Sequence, residues 1–250
     1  MNVQQTQISA ADTLSRREAG SGWHAQIPDD KAMLRAARDL TKDISAHRAD
    51  IYWADMIASA LVGYGALAGA ILTGSLPLAI ALGVVSVLAL YRALLFIHEI
   101  SHFRNGALPG FRTAWNALVG VPMLTPSFMY EGVHTLHHKR TQYGTIEDPE
   151  YLPLALMKPW SLPAFVLIAL LAPVALLLRF AVLVPLGAII PPIRRLTWQR
   201  LSALAINPDF RRRNPEGDLR RRVLLQEAGG MLWSWALIGS VFAFGWKPLL

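Results

Sequence analysis

No charged side chain occurs between Asp55 and Arg92, and the 36 residues of that interval are largely apolar. A helix crossing a bilayer needs about 20 apolar residues, so the interval is too long for one span. Gly74-Ser75-Leu76-Pro77 supplies a turn in its middle, which predicts a hairpin of two helices over 56–73 and 77–97. Both open ends of the hairpin then lie on one side of the membrane. Arg92, just inside the second helix, is expected to snorkel its guanidinium toward the interface. The composition agrees: the chain is 53% hydrophobic and 16% charged, with a mean hydropathy of +0.34, which places it in the membrane class.

The second helix runs into His98-Glu99-Ile100-Ser101-His102, and 31 residues later the chain reads His134-Thr135-Leu136-His137-His138. Five of the seven histidines sit in these two boxes. On a helix, positions i and i+4 fall roughly 40° apart, so His98 with His102, and His134 with His138, each share a face, with His137 beside the second pair. A lone histidine near a helix end is ordinarily a capping or hydrogen-bonding residue. Two such boxes in a chain without cysteine instead form two imidazole clusters, and neutral imidazole suits iron, copper and zinc. Between the boxes, Phe111, Trp115, Leu118 and Val119 line one side of a short segment ended by Pro122, while Arg112, Thr113 and Asn116 fall elsewhere on the wheel. An interfacial helix fits this pattern and returns the chain to the same membrane face. In the following loop, Glu147, Asp148 and Glu150 are available to hold histidine N–H groups, although a solvated acidic loop is the default reading.

The rest of the chain sets the frame. Residues 1–53 carry seven basic and seven acidic side chains and contain no apolar core for a secretory signal; the first twenty residues read as a disordered tail. A helix is expected after Pro28, capped by Asp29 or Asp30, with an apolar stripe of Met33, Leu34, Ala37, Leu40 and Ile44. His24 and His47 are unclustered and read as ordinary surface residues. Residues 160–191 are apolar but broken by Arg179 and by prolines 163, 173 and 185, which suggests a broken, re-entrant hairpin. Nine arginines between positions 194 and 222 then mark a cytoplasmic segment, and a last apolar stretch begins near Met231. The net charge of +7 is explained by this topology. The arginine clusters lack interleaved aromatics, so nucleic acid is not an expected partner. Without cysteine, disulfides, iron–sulfur ligation and thiol nucleophiles are excluded. The expected fold is all-α and integral to the membrane: transmembrane helical hairpins, interfacial helices and a histidine-box metal site on the cytoplasmic side.

Three functions compete on these residues. One is an oxygen-activating enzyme in which two irons oxidise an unreactive C–H bond of a lipid, chemistry that no side chain performs alone. A second is a membrane zinc protease, because His98-Glu99-Ile100-Ser101-His102 also fits H-E-x-x-H; Asn207-Pro208-Asp209 is only a superficial echo of the aspartate motif such an enzyme needs. A third is a non-catalytic protein holding a structural or transported metal. The order His-x-x-x-His, about thirty residues, then His-x-x-His-His, followed by Gly144-Thr145-x-Glu147-Asp148-Pro149, resembles the membrane fatty acid desaturase superfamily, which also contains sphingolipid desaturases, alkane hydroxylases and carotenoid ketolases. The likeness is good over about 50–155 and extends elsewhere only as a hydrophobic pattern.

The resemblance implies a non-haem di-iron centre with His98, His102, His134, His137 and His138 as ligands. It also implies electrons from a ferredoxin- or cytochrome-type partner, a long acyl or similarly apolar substrate, and residence in the bacterial inner membrane with the boxes on the cytoplasmic side. It divides the chain into a cytoplasmic N-terminal segment with an interfacial helix, 1–53, and a desaturase-like membrane domain, 54–250, that is incomplete at its C-terminus. The superfamily carries a third box, and this sequence has no histidine after His138. Five imidazoles are few for two irons, so the 250-residue chain is expected to be inactive alone, with the remaining histidines beyond Leu250.

Overall fold

The computed structural model describes residues 31–42, 47–103, 106–152 and 154–245. All regular structure among them is helical. The chain divides into two compact units at His47/Arg48. In the first, α1 (Lys31–Leu40) is a helix whose Met33, Leu34 and Leu40 are exposed. The anticipated caps Asp29 and Asp30, His24, Ile44, the leading tail and the chain after Gly245 lie outside the described residues.

The second unit opens with the hairpin. Helix α2 (Ala49–Leu72) and helix α3 (Leu76–His102) are both long and apolar enough to cross a membrane. The turn lies where expected. Pro77 sits in the first turn of α3, where its missing N–H has no intrahelical partner to lose. The helices exceed the expected ranges at their open ends: α2 begins at Ala49, and α3 carries the whole first box before Phe103 caps it. Small residues let the two approach closely; a Cβ at Gly63 would lie 2.6 Å from the Leu90 side chain. Arg92 does not merely reach for water. Its Nε and Nη2 lie 2.8 and 2.5 Å from the Asp55 carboxylate across the hairpin.

The segment between the boxes is helix α4 (Phe111–Trp115) continued by a π-turn (Asn116–Gly120). Phe111, Trp115 and Val119 are fully buried against Met56, Ala93, Phe96 and Ile100 of the hairpin, and Trp115 Nε1 donates to the Ala93 carbonyl at 2.8 Å. Leu118, expected on the same face, is 44% exposed, and Asn116, expected among the outward polar residues, is buried. The wide π-turn rotates Asn116 inward. There it donates through Nδ2 to Ser127 Oγ at 2.9 Å and accepts the Ser127 amide at 2.8 Å. That clamp holds the 3-10 turn Ser127–Met129 just ahead of the second box.

After the second box come α6 (Ser161–Leu170), α7 (Ala172–Leu178), a π-turn (Arg179–Leu183) and α8 (Val184–Ile189), with α5 being the single turn His134–His137 of the box itself. From Ala172 to Ile189 the chain is an unbroken apolar helix of 18 residues, long enough for one crossing, with α6 preceding it as a shorter apolar helix. Pro185 cannot donate to the Ala181 carbonyl four residues back, and Trp235 Nε1 donates to it instead at 3.0 Å. Helix α9 (Pro191–Leu201) and helix α10 (Gly217–Phe244) complete the unit. The last helix starts at Gly217, well before Met231, because its arginine-bearing first turns are helical too. A second core of Leu124, Phe128, Phe180, Trp198 and Val223 ties α9 and α10 to the 3-10 turn.

Candidate metal centre

His98 and His102 lie one turn apart at the end of α3, so both rings leave the hairpin on one face. The second box forms only one helical turn, yet the His138 amide still reaches the His134 carbonyl at 3.4 Å, which preserves the i, i+4 relation. The two faces meet. One ring nitrogen each from His98, His102, His134 and His138 lies within 4.8 Å of the others. His134 Nε2 is 3.1 Å from His102 Nε2 and 2.8 Å from His138 Nε2. Lone pairs facing one another so closely repel unless a proton or a metal cation is shared between them.

The tautomers follow from the carboxylates behind the rings. His134 Nδ1 lies 2.7 Å from Glu150 Oε1, and the Tyr130 hydroxyl sits 2.8 Å from the same nitrogen while donating to Glu150 Oε2 at 3.3 Å. A proton on Nδ1 therefore donates to Glu150, leaving the Nε2 lone pair toward the cluster. Burial holds the His134 imidazole below its ordinary pKa, against the opposing pull of Glu150, so the ring is neutral and able to ligate. Burial also raises the Tyr130 phenol, with Glu150 adding to the effect, which keeps it a donor. At the first box, His98 Nδ1 lies 3.3 Å from Glu99 Oε1, and Tyr52 donates to Glu99 Oε2 at 2.9 Å. This backing of a histidine by a carboxylate is the arrangement that orients metal-ligating imidazoles.

His137 stands apart from the four. Its Nδ1 is 3.0 and 3.1 Å from the two oxygens of Asp148, which frees its Nε2 as a donor atom. Asp148 is completely buried. Burial alone would raise its pKa, but the Gly144 and Glu150 amides together with His137 hold it below the ordinary carboxylate value. Gly144 can aim its amide this way because it adopts φ +72°, a conformation that favours glycine. Asn207 secures the loop from 59 residues away in sequence, donating through Nδ2 to the carbonyls of Ile146 and Asp148 at 2.9 Å each. Glu147 is not part of this shell; it accepts from Gln142 at 3.2 Å.

Sequence reasoning named all five histidines but left Asp148 and Glu150 at the default of a solvated loop, and gave no role to Tyr130 or Asn207. The signals available were the Asp148-Pro149 turn and the Gly144-Thr145-x-Glu147-Asp148-Pro149 pattern that follows the box. Asn207 had none beyond its place before a proline.

Residues 73–250 match the family described as fatty acid desaturase. The chain is 48% identical over 217 residues to a ceramide hydroxylase of Caulobacter vibrioides (strain NA1000 / CB15N), an alignment covering 87% of this chain and 62% of that protein. The chain thus spans less than two thirds of the length of the curated relative it matches. No solved structure matches it.

Proposed function

The chain belongs to the fatty acid desaturase family, and from that premise we propose that it forms the histidine-box part of an oxygen-dependent lipid hydroxylase acting on a ceramide or a closely similar long-chain lipid. Hydroxylation replaces a C–H bond by C–OH. One oxygen atom of dioxygen enters the product and the other leaves as water, so two electrons and two protons are consumed per turnover. A ferredoxin- or cytochrome-type protein is the proposed electron source, and the cytoplasmic face of a bacterial inner membrane the proposed location.

The carrying observation is the convergence of His98, His102, His134 and His138 at the mouth of an apolar hairpin, each from a box the family shares. The donor set fits iron: neutral imidazoles hold it across oxidation states, and no thiolate competes. Non-haem iron, two ions in the family's pattern, would be held by these four with His137, and when bound it supplies the reduction of dioxygen and the abstraction of hydrogen from carbon. The protein's own share is positional. Glu150, Glu99 and Asp148 fix three rings by their Nδ1 protons, while the apolar helices α2 and α3 bring an acyl chain to the centre without water.

The hydroxylase name of the relative favours oxygen insertion over desaturation. Family membership sets aside the zinc protease reading, and Glu99, its would-be general base, is engaged by Tyr52 and His98. Cells expressing the intact gene should yield purified protein that contains iron, and membranes with ceramide carrying one added oxygen, both lost in His134→Ala. Zinc in place of iron, or lipid unchanged between wild type and variant, would defeat the proposal; loss of two hydrogens without added oxygen would redirect it to desaturation.

A further inference from the structure

We propose that a cavity between the start of α9 and the start of α10 binds the phosphate of an anionic phospholipid, separately from the histidine centre. The cavity, of about 410 Å³, is lined by Arg194, Arg195, Trp198, Asn214 and Arg220, among others, and no acidic residue lines it. Among the described residues, neither the Arg195 nor the Arg220 side chain has a hydrogen-bond or carboxylate partner. Arg194 is only partly neutralised. Its Nη1 donates to Glu227 Oε2 at 2.6 Å, but the other oxygen of that carboxylate accepts from Arg179 Nη2 at 2.8 Å. One buried carboxylate therefore serves two guanidiniums, and Arg179 Nη1 is buried with no partner at all. The wall carries surplus positive charge by construction.

The site is also built rather than merely charged. Trp198 is 2% exposed; its ring lies 6.0 Å from the Arg194 guanidinium, and its Nε1 donates to the Arg213 carbonyl at 2.7 Å, fixing the strand of chain that brings Asn214 to the cavity. Planar guanidiniums offer paired N–H donors suited to phosphate oxygens.

Position selects a lipid over free phosphate. The membrane-length segment Ala172–Ile189 ends two residues before α9 begins, exposed Leu224 lines the cavity, and Ile189 and Leu196, close in sequence to its lining residues, are exposed as well. A phosphate in the cavity would have its acyl chains beside these apolar side chains, at the depth where headgroups lie.

The test uses the whole chain purified in neutral detergent, with thermal unfolding followed during titration by phosphatidylglycerol, by phosphatidylcholine or by inorganic phosphate. Phosphatidylglycerol should raise the midpoint and phosphatidylcholine should not. In R195Q/R220Q its affinity should fall roughly 30-fold, at about fivefold per arginine near an anionic headgroup. R200Q/R221Q removes the same charge outside the cavity and should bind as wild type. If the double variant fails to fold, R195Q and R220Q taken singly should each lose about fivefold. Equal losses in both double variants would reduce the effect to diffuse positive charge. An equal response to phosphatidylcholine would overturn the anionic specificity, and full stabilisation by inorganic phosphate would assign the cavity to a free anion.

Discussion

Asp148 does more for the site than its place in a loop suggests. Its two oxygens receive His137 and the amides of Gly144 and Glu150, and Asn207 ties down its carbonyl. Asp148→Asn keeps the shape but puts an NH2 in place of one oxygen, so either the Gly144 or the Glu150 amide loses its acceptor and the His137 ring loses its two-oxygen, charged partner. Loss of such a partner typically costs 10–100-fold in metal affinity or activity. Iron content should fall by that order while helical circular dichroism stays at the wild-type level; an unchanged iron content would show that His137 is not a ligand. The five histidines were legible because their chemistry and spacing stand in the sequence itself. Asp148 was not, since its burial depends on Asn207, and no local pattern reports that the chain returns to that loop 59 residues later.

At the scale of elements, the sequence located what is periodic or punctuated. The 36 uncharged residues required a hairpin, and Gly74 to Pro77 placed its turn. What escaped it were the departures from the regular α-helix. Asn116 lies inward because the chain widens into a π-turn, which no hydrophobic periodicity anticipates. Helix α10 starts at Gly217, ahead of the apolar stretch read from near Met231, and buries Val223 and Glu227 in its polar part. The hairpin offers a direct test of close packing. In Gly63→Ala the new Cβ would stand 2.6 Å from Cγ and Cδ2 of Leu90, so destabilisation of about 1–3 kcal/mol is expected from thermal unfolding in detergent. Gly63→Ala with Leu90→Ala should cost less than the two changes summed, because the clash goes with the leucine. Strict additivity would mean that the helices do not meet at this point.

Across the second unit, parts distant in sequence are joined by two kinds of bond, a buried ion network and the imidazole centre. Glu227 on α10 binds Arg179 and Arg194, and Arg179 and Glu227 are each 2% exposed. Glu227→Ala leaves a buried arginine unpaired, and a loss of about 3–5 kcal/mol is expected in unfolding experiments, whereas replacing both Arg179 and Glu227 by leucine should recover part of it. The imidazole centre acts differently, because its ligands attract one another only through what they share. His98 and His102 end the hairpin, while His134 and His138 belong to a single turn that has little stability of its own. A cation bound by the folded arrangement and not by the unfolded chain stabilises it by mass action, about 2.7 kcal/mol at a hundredfold excess over the dissociation constant. Ferrous iron, or cobalt as an inert substitute, should therefore raise the unfolding midpoint of the chelator-treated protein. The shift should vanish in His134→Ala and shrink as pH falls below the ordinary histidine range, because ligands must be unprotonated to bind and burial holds His134 below that range in the folded protein. Because the stabilisation joins α3 to the second box, hydrogen exchange at 130–138 and at the end of α3 should slow together when metal is added. Slowing at only one of the two would mean that the boxes bind metal separately and share no centre.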